Sequence, residues 1–423
     1  MPRACHFLYT LDRDPNTAPI DARVAACTGR LEKVFRYGVG IAAKLTPSGE
    51  FADVYRRDRD EQLATLFRDA RVVVKELLQS RRSWFSQRDG QRAVMKLDGM
   101  TFAFGARHNF RQYEAYRKTP DLNTGPNASV LDAIFALFSH ASSLYWSAFT
   151  TSAERSVAYD NTYTTSAFDW DGEYQPTNNH LFLPNGVVGF LSALSNQMPL
   201  QLYPVLSQNI VRTMLQALLK GNSLLDGNGT AVSEPWGEQT QRQYDSAMAC
   251  LRRHHDADED VERRGDSPWT IADSEAIFLD SAVIGPTYEL YNRAIQGHNE
   301  TGLSVSVDTR VIGPKRLFFY NYASAHCDYD DLELRRVRSP SRSSPSKIRL
   351  NLALNNFPPF LETFSCAAAE GPGDRCVIWK GPASAKSMRS IRKVPSNLTY
   401  HLLAKSGETN ATNNLESRSS IND

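Results

Sequence analysis

Arg212 and Gln216 stand four residues apart in NIVRTMLQAL, so on a helix one lies above the other on a single face. Leu206, Ile210, Val211, Met214, Leu215 and Leu218 fill one half of that helix, and Gln208, Asn209, Arg212, Thr213 and Gln216 fill the other. By itself this is an amphipathic helix with a polar pair at its centre. A second cluster follows at His254 and His255, beside Asp256, Asp258, Glu259 and Asp260. A calcium loop counted from Asp256 needs Gly at 261 and Glu at 267, where the chain has Val261 and Ser267. The cluster therefore reads as a solvated charge run. RRVRSPSRSSPSK carries no aromatic residues between its charges, which single-strand nucleic-acid binding wants, and reads as a surface loop. The chain holds no Gly-x-Ser-x-Gly elbow, no phosphate-cradling glycine loop followed by Lys, and no intact His-Glu-x-x-His.

The elements that must position these residues follow from periodicity. From about Ala22 to Ala106 the pattern is mostly helical, with apolar residues at three- and four-residue steps in ADVYRRDRDEQLATLFRDARVVVKELL. After a Pro/Asn/Gly-rich break, ASVLDAIFALFSHASSLYW predicts a second, more buried helix, on which His140 reads as a packed core histidine. NNHLFLPNG predicts a strand stopped by Pro184, Asn185 and Gly186. The helix of Arg212 ends near Gly221, and the charged loop RRHHDADEDVERRGD separates it from the helix EAIFLDSAVIGPTYELYNRAI. RCVIWK marks the end of the fold, because residues 380–423 are polar without a periodic apolar face and read as a disordered tail.

The chain of 423 residues is long enough for two or three domains, and 41% hydrophobic content suits a globular protein. Forty-eight basic against 47 acidic residues give a formal charge of +1, so no global field exists to hold nucleic acid. No run approaches the roughly 20 apolar residues of a spanning helix, and MPRACHFLYTLDRDP is neither a signal-peptide core nor an anchor. Six cysteines show no zinc-finger spacing. Five Asn-x-Ser/Thr sites, at Asn127, Asn228, Asn299, Asn397 and Asn410, are of the kind secreted proteins glycosylate.

Four segments in order resemble the neprilysin and endothelin-converting-enzyme family of zinc metallopeptidases: NNHLFLPNG, LFFYNYASAHC, RLNLALNNFPPFLETFSC and CVIW. Upstream, ACTGRLEKVFRYGVGIAAKL and WFSQRDGQRAVMKLDGMTFAFG are similar to helical segments of the family's second domain. The similarity covers about residues 22–379 and implies a mainly α fold with a small β-sheet, an α+β architecture. It implies an N-terminal segment over 1–21, a helical domain over 22–159 and a catalytic-type domain over 160–379, followed by the tail.

By this resemblance NIVRTMLQAL lies where the family has Val-Ile-Gly-His-Glu-x-Thr-His-x-Phe. The two zinc histidines correspond to Arg212 and Gln216, and the general-base glutamate to Thr213. The third ligand falls on Ala276, with Glu275 one residue off, or on Trp269 in another register; a transition-state histidine falls on Ser343. No zinc is therefore expected, and catalysis with it is expected to be lost. Arg349 matches the arginine that holds substrate backbone, and Asp280 matches the aspartate that orients a zinc histidine and is now free to pair with Arg212. By the same resemblance Cys250 and Cys376 correspond to cysteines that pair with each other, whereas those matching Cys27, Cys327 and Cys366 pair with residues upstream of this chain's start; either these re-pair, with Cys5 as one candidate, or, the favoured expectation, the chain is part of a longer extracellular protein. The resemblance implies peptides as partners and an extracellular or cell-surface location. The alternative expectation is an active zinc metalloendopeptidase that uses displaced ligands such as His254 and His255.

Overall fold

In a computed structural model of the protein, the described residues are 57–104, 129–147, 171–184, 186–187, 199–257, 271–296, 304–307, 310–326, 346–366 and 375–379. The expected tail, Cys5, Cys27, Cys327, Trp269, Ser343 and the acidic residues 258–260 lie outside them.

The elements run α1 (Arg57–Gln79), α2 (Gln87–Asp98), β1 (Thr101–Phe104), α3 (Val130–Ser147), β2 (Glu173–Gln175), β3 (His180–Leu183), α4 (Pro199–Gln216), α5 (Glu238–Asp256) and α6 (Ile271–Ile295). They continue with β4 (Val305–Val307), β5 (Arg310–Ile312), α7 (Pro314–Ser324), α8 (Ser346–Asn355) and α9 (Pro358–Phe364). The fold is mainly helical with a small sheet, as the sequence leads one to expect. β3 is central, with β1 parallel on one side and β2 antiparallel on the other; β4 and β5 form a separate hairpin.

Asn179 locks this sheet to the helices. Completely buried and in the left-handed region at φ 47°, it accepts from the Tyr174 hydroxyl at 3.0 Å and donates to the Lys96 carbonyl at 2.8 Å. Asparagine tolerates that backbone conformation better than a branched residue would. Its own carbonyl receives the Thr101 N–H, which starts β1 in register with His180.

One hydrophobic core runs through the described residues. Phe67 of α1, Leu97 of α2, Leu181 of β3, Met214 of α4, Phe278 of α6 and Phe318 of α7 are each at most 1% exposed within it. Both this core and the sheet join residues from either side of position 160, where the sequence analysis divides the chain.

Pro286 sits inside α6 and cannot donate to the carbonyl of Ala282 one turn earlier. The indole Nε1–H of Trp379 takes its place, donating to Ala282 O at 2.8 Å. Gly285 makes the approach feasible, since a Cβ there would lie 3.2 Å from Trp379 Cδ1. The C-terminal CVIW is thereby fastened to a defect in the longest helix.

Four local expectations differ from the structure. TFAF is a strand, not part of a helical run, because four alternating residues are too few for periodicity to separate the two states. The sequence RRHHD, expected in a loop, forms the last turn of α5, where basic side chains suit the negative end of the helix dipole. α3 was expected to be well buried, yet Phe135, Phe138 and Trp146 are 68%, 50% and 65% exposed, because apolar composition does not by itself decide which face of a helix is covered. Conversely, the polar half of α4 is interior, with Gln208, Asn209 and Thr213 all buried, because α6 and α7 pack on that helix.

Candidate functional site

Three helices bring one charged side chain each to a single point. Arg212 comes from α4, Asp280 from α6 and Arg349 from α8, and α6 packs against both of the others. The Arg212 Nε–H donates to Asp280 Oδ1 at 3.1 Å, and the Arg349 Nε–H donates to Asp280 Oδ2 at 2.7 Å. Asp280 is 2% exposed, whereas the two arginine side chains remain 23% and 15% exposed. Each carboxylate oxygen thus has its own guanidinium, which is the condition under which a buried charge is tolerated.

The electrostatics follow. Burial pushes the Asp280 pKa up, but the opposing fields of Arg212 and Arg349 outweigh it and hold the carboxyl below its usual range. Burial acts to discharge Arg212, but Asp280, helped by Asp171, raises its pKa further. His326, just beyond α7, is pushed below the ordinary histidine value by burial, and the two arginines add to that against the pull of Asp280. Gln208, one turn before Arg212, contacts His326 at 2.6 Å between their Nε2 atoms. If the carboxamide donates there, His326 Nε2 accepts and the ring is neutral. Tyr322 is fully buried beside this group, and burial raises its hydroxyl pKa well above normal.

Thr213 directs its hydroxyl into its own helix, donating to Asn209 O at 2.9 Å. It also packs on Gly172, where a Cβ would come within 2.4 Å of Thr213 Oγ1. Gln216 is half-buried one turn beyond Arg212, and Ala276 lies half-buried one turn before Asp280. Glu275 is exposed. The residues at the positions aligned with the zinc ligands therefore offer a guanidinium, a carboxamide and a methyl group.

Cys250 and Cys376 form the expected disulfide, with Cα atoms 5.5 Å apart. Cys366 is unpaired and exposed. His254 lies within 4.8 Å of both disulfide sulfurs, the one grouping of potential metal donors found among the described residues. Sulfurs bonded to each other are not thiolates and do not act as ligands there. His255 is buried with Nδ1 3.2 Å from Asp256 Oδ1. The sequence analysis singled out Arg212, Asp280 and Arg349, which the fold brings together. It missed His326 and Tyr322, whose only signal was their place in the apolar segment LFFYNYASAHC.

Residues 173–372 match the sequence model of Peptidase family M13. That stretch holds the ion triad and α4 to α9. Over that stretch the chain is similar to Peptidase family M13. Solved structures with the same fold include the zinc metalloprotease Zmp1 of Mycobacterium tuberculosis, at 14% identity and a TM-score of 0.58 over 87% of this chain and 52% of that one. A Haemonchus galactose-containing glycoprotein complex matches at 17% identity and a TM-score of 0.61, covering 85% of this chain and 54% of that chain. PepO of Lactobacillus rhamnosis matches at 13% identity and 0.55, covering 85% and 50%. The chain spans about half the length of these structures. No curated protein sequence matches it. Among the described residues, no helix is long and apolar enough to cross a membrane.

Proposed function

We propose that this M13 homologue is catalytically inactive and acts, if its cleft is kept, as a peptide-binding protein. The observation that carries the reading is the pairing of Asp280 with both Arg212 and Arg349. A catalytic zinc needs about three protein donors of nitrogen, oxygen or sulfur type and an open position for water. The aligned positions supply none of the usual donors, and Arg212 brings a permanent positive charge to where a dication would sit. These residues do not fit zinc.

Thr213 cannot serve as a general base near neutral pH, and its hydroxyl is already committed to Asn209. Arg349 is aligned with an arginine that holds substrate backbone, and that alignment supports the peptide-binding half of the proposal; here its Nε–H faces Asp280 and its Nη2–H donates to Ser346 Oγ at 3.2 Å. Extracellular residence is part of the same proposal, supported by the disulfide and by the exposed Asn228 of a glycosylation sequence.

The test is metal content and peptidase activity on folded protein. Less than a tenth of an equivalent of zinc, with no chelator-sensitive cleavage of a peptide library, is the expected result. Stoichiometric zinc with cleavage abolished by chelator overturns it. His254→Ala/His255→Ala is the control for displaced ligands: activity that vanishes in this variant assigns the alternative of a relocated metal.

A further inference from the structure

We propose that opening the Cys250–Cys376 bridge creates a site for one zinc-type divalent cation, held by the two thiolates and the imidazole of His254. The site shares no residue with the Arg212–Asp280–Arg349 group and does not rest on the proposed loss of catalysis.

Three donors from two segments already converge there. Cys250 and His254 are one turn apart on α5 and share a face of that helix, and Cys376 reaches them from the C-terminal segment. A ring nitrogen of His254 and both sulfurs all lie within 4.8 Å of one another. Donors on one tetrahedral zinc stand roughly 3.5–3.8 Å apart, given Zn–S of about 2.3 Å and Zn–N of about 2.0 Å. Turns about side-chain bonds reach that spacing, because the cysteine Cα atoms are 5.5 Å apart. Two cysteines and one histidine, with a fourth position left for water, is a set that zinc accepts.

Contacts other than the bridge hold the donors near one another. The Cys376 amide donates to Asn356 Oδ1 at 2.7 Å, and the Asn356 carboxamide is anchored to the Leu352 carbonyl at 2.8 Å. Ile378 is buried in the core and Trp379 is fastened to α6. These contacts return Cys376 to α5 in the reduced chain. Cys250 and His254 are half-buried, which gives the ion a route from solvent.

In the oxidised chain the sulfurs bond each other and take no cation. A dithiol reductant passes two electrons and two protons to the bridge, becoming a disulfide itself and leaving two thiols. The cation then displaces both thiol protons to solvent. Two thiolates, a neutral imidazole and a divalent ion sum to zero charge, which eases partial burial. Arg253 and Arg375, the chain neighbours of His254 and Cys376, oppose a bare dication but favour thiolate over thiol. Thiolate ligands select zinc over magnesium and calcium, which take oxygen.

The experiment uses the full chain carrying Cys5→Ser, Cys27→Ser, Cys327→Ser and Cys366→Ser, so that the bridge supplies its only thiols. The unaltered chain, its free thiols alkylated before reduction, is the second preparation. Zinc uptake is measured on oxidised protein and on protein reduced with a phosphine that is then removed without air, and cobalt(II) spectra report the ligands. One equivalent of zinc after reduction and less than a tenth before it, with a sulfur-to-cobalt charge-transfer band, is expected. Zinc at a hundredfold excess over its dissociation constant should raise the melting temperature of the reduced protein by about 5 °C. His254→Ala should weaken zinc at least tenfold in the reduced protein and leave the melting temperature of the oxidised protein nearly unchanged, which separates a lost ligand from a lost fold. No zinc uptake on reduction, a cobalt spectrum without that band, or full affinity in His254→Ala overturns the proposal. The proposed inactivity fails on a different result, zinc held and peptide cleaved by the oxidised protein.

Discussion

Asp280 is held by two cations, and the consequences of removing each partner differ. Arg212→Met leaves the carboxylate with Arg349, so the loss should be about 1–3 kcal/mol. Asp280→Asn leaves two guanidinium groups facing each other without a counter-charge, for which about 3–5 kcal/mol is expected. Urea unfolding of both variants at pH 7 checks the order; an Arg212 variant that costs more than the Asp280 variant would contradict it. The pH dependence is separable. The folded-state pKa of Asp280 lies below that of the unfolded chain, roughly 3.9, so its contribution is complete above that value and disappears as pH falls through the lower folded pKa. The difference in stability between wild type and Asp280→Asn should be constant from pH 8 to about 5 and shrink in acid. His326 acts earlier. Its pKa is also lowered by folding, so the unfolded chain takes up that proton first, and stability falls as pH drops below roughly 6.5. His326→Gln should remove this step, checked by thermal melts at pH 7 and 5.5. The arginine–aspartate pairing was legible in sequence because motif order put Arg212 and Asp280 on facing helices. His326 was not, because an apolar motif does not reveal which face its last turn presents.

At the scale of elements, the defect in α6 gives a sharper test than helix burial does. Trp379→Phe removes the indole hydrogen bond and exposes the Ala282 carbonyl that Pro286 leaves without a helical partner, which should cost about 1–2 kcal/mol beyond any change in packing. Pro286→Ala supplies the missing amide. In that background the tryptophan substitution should cost less, and a double-mutant cycle by urea unfolding measures the coupling. Strict additivity of the two changes would show that the indole does not serve that carbonyl. The sequence made CVIW legible as part of the fold, but not what holds it there. The reason lies 97 residues away in the chain, a separation no local pattern spans. TFAF was lost for a related reason: β1 exists because β3 lies beside it, and pairing partners distant in sequence leave no mark on four residues. β3 itself was legible, since three of the four residues of HLFL are apolar and all four are buried, with Pro184 to stop it.

Across the whole molecule, the Cys250–Cys376 bridge joins α5 to the terminal CVIW segment over a separation of 126 residues. Closing a loop that long restricts the unfolded chain by about 5 kcal/mol in the chain-entropy treatment, with roughly 2–5 kcal/mol the measured range for native bridges. The bridge also holds the segment whose Trp379 completes α6, so losing it should release both constraints together. Cys250→Ala/Cys376→Ala is therefore expected to lower the melting temperature by about 5–15 °C, measured under non-reducing conditions. Adding Trp379→Phe to that variant should cost less than it does in the oxidised protein, because a freed segment docks only part of the time. A melting temperature unchanged by loss of the bridge would mean that core packing of Ile378 and Trp379 alone fixes the C-terminal segment, and that the disulfide merely records a proximity the helices already enforce.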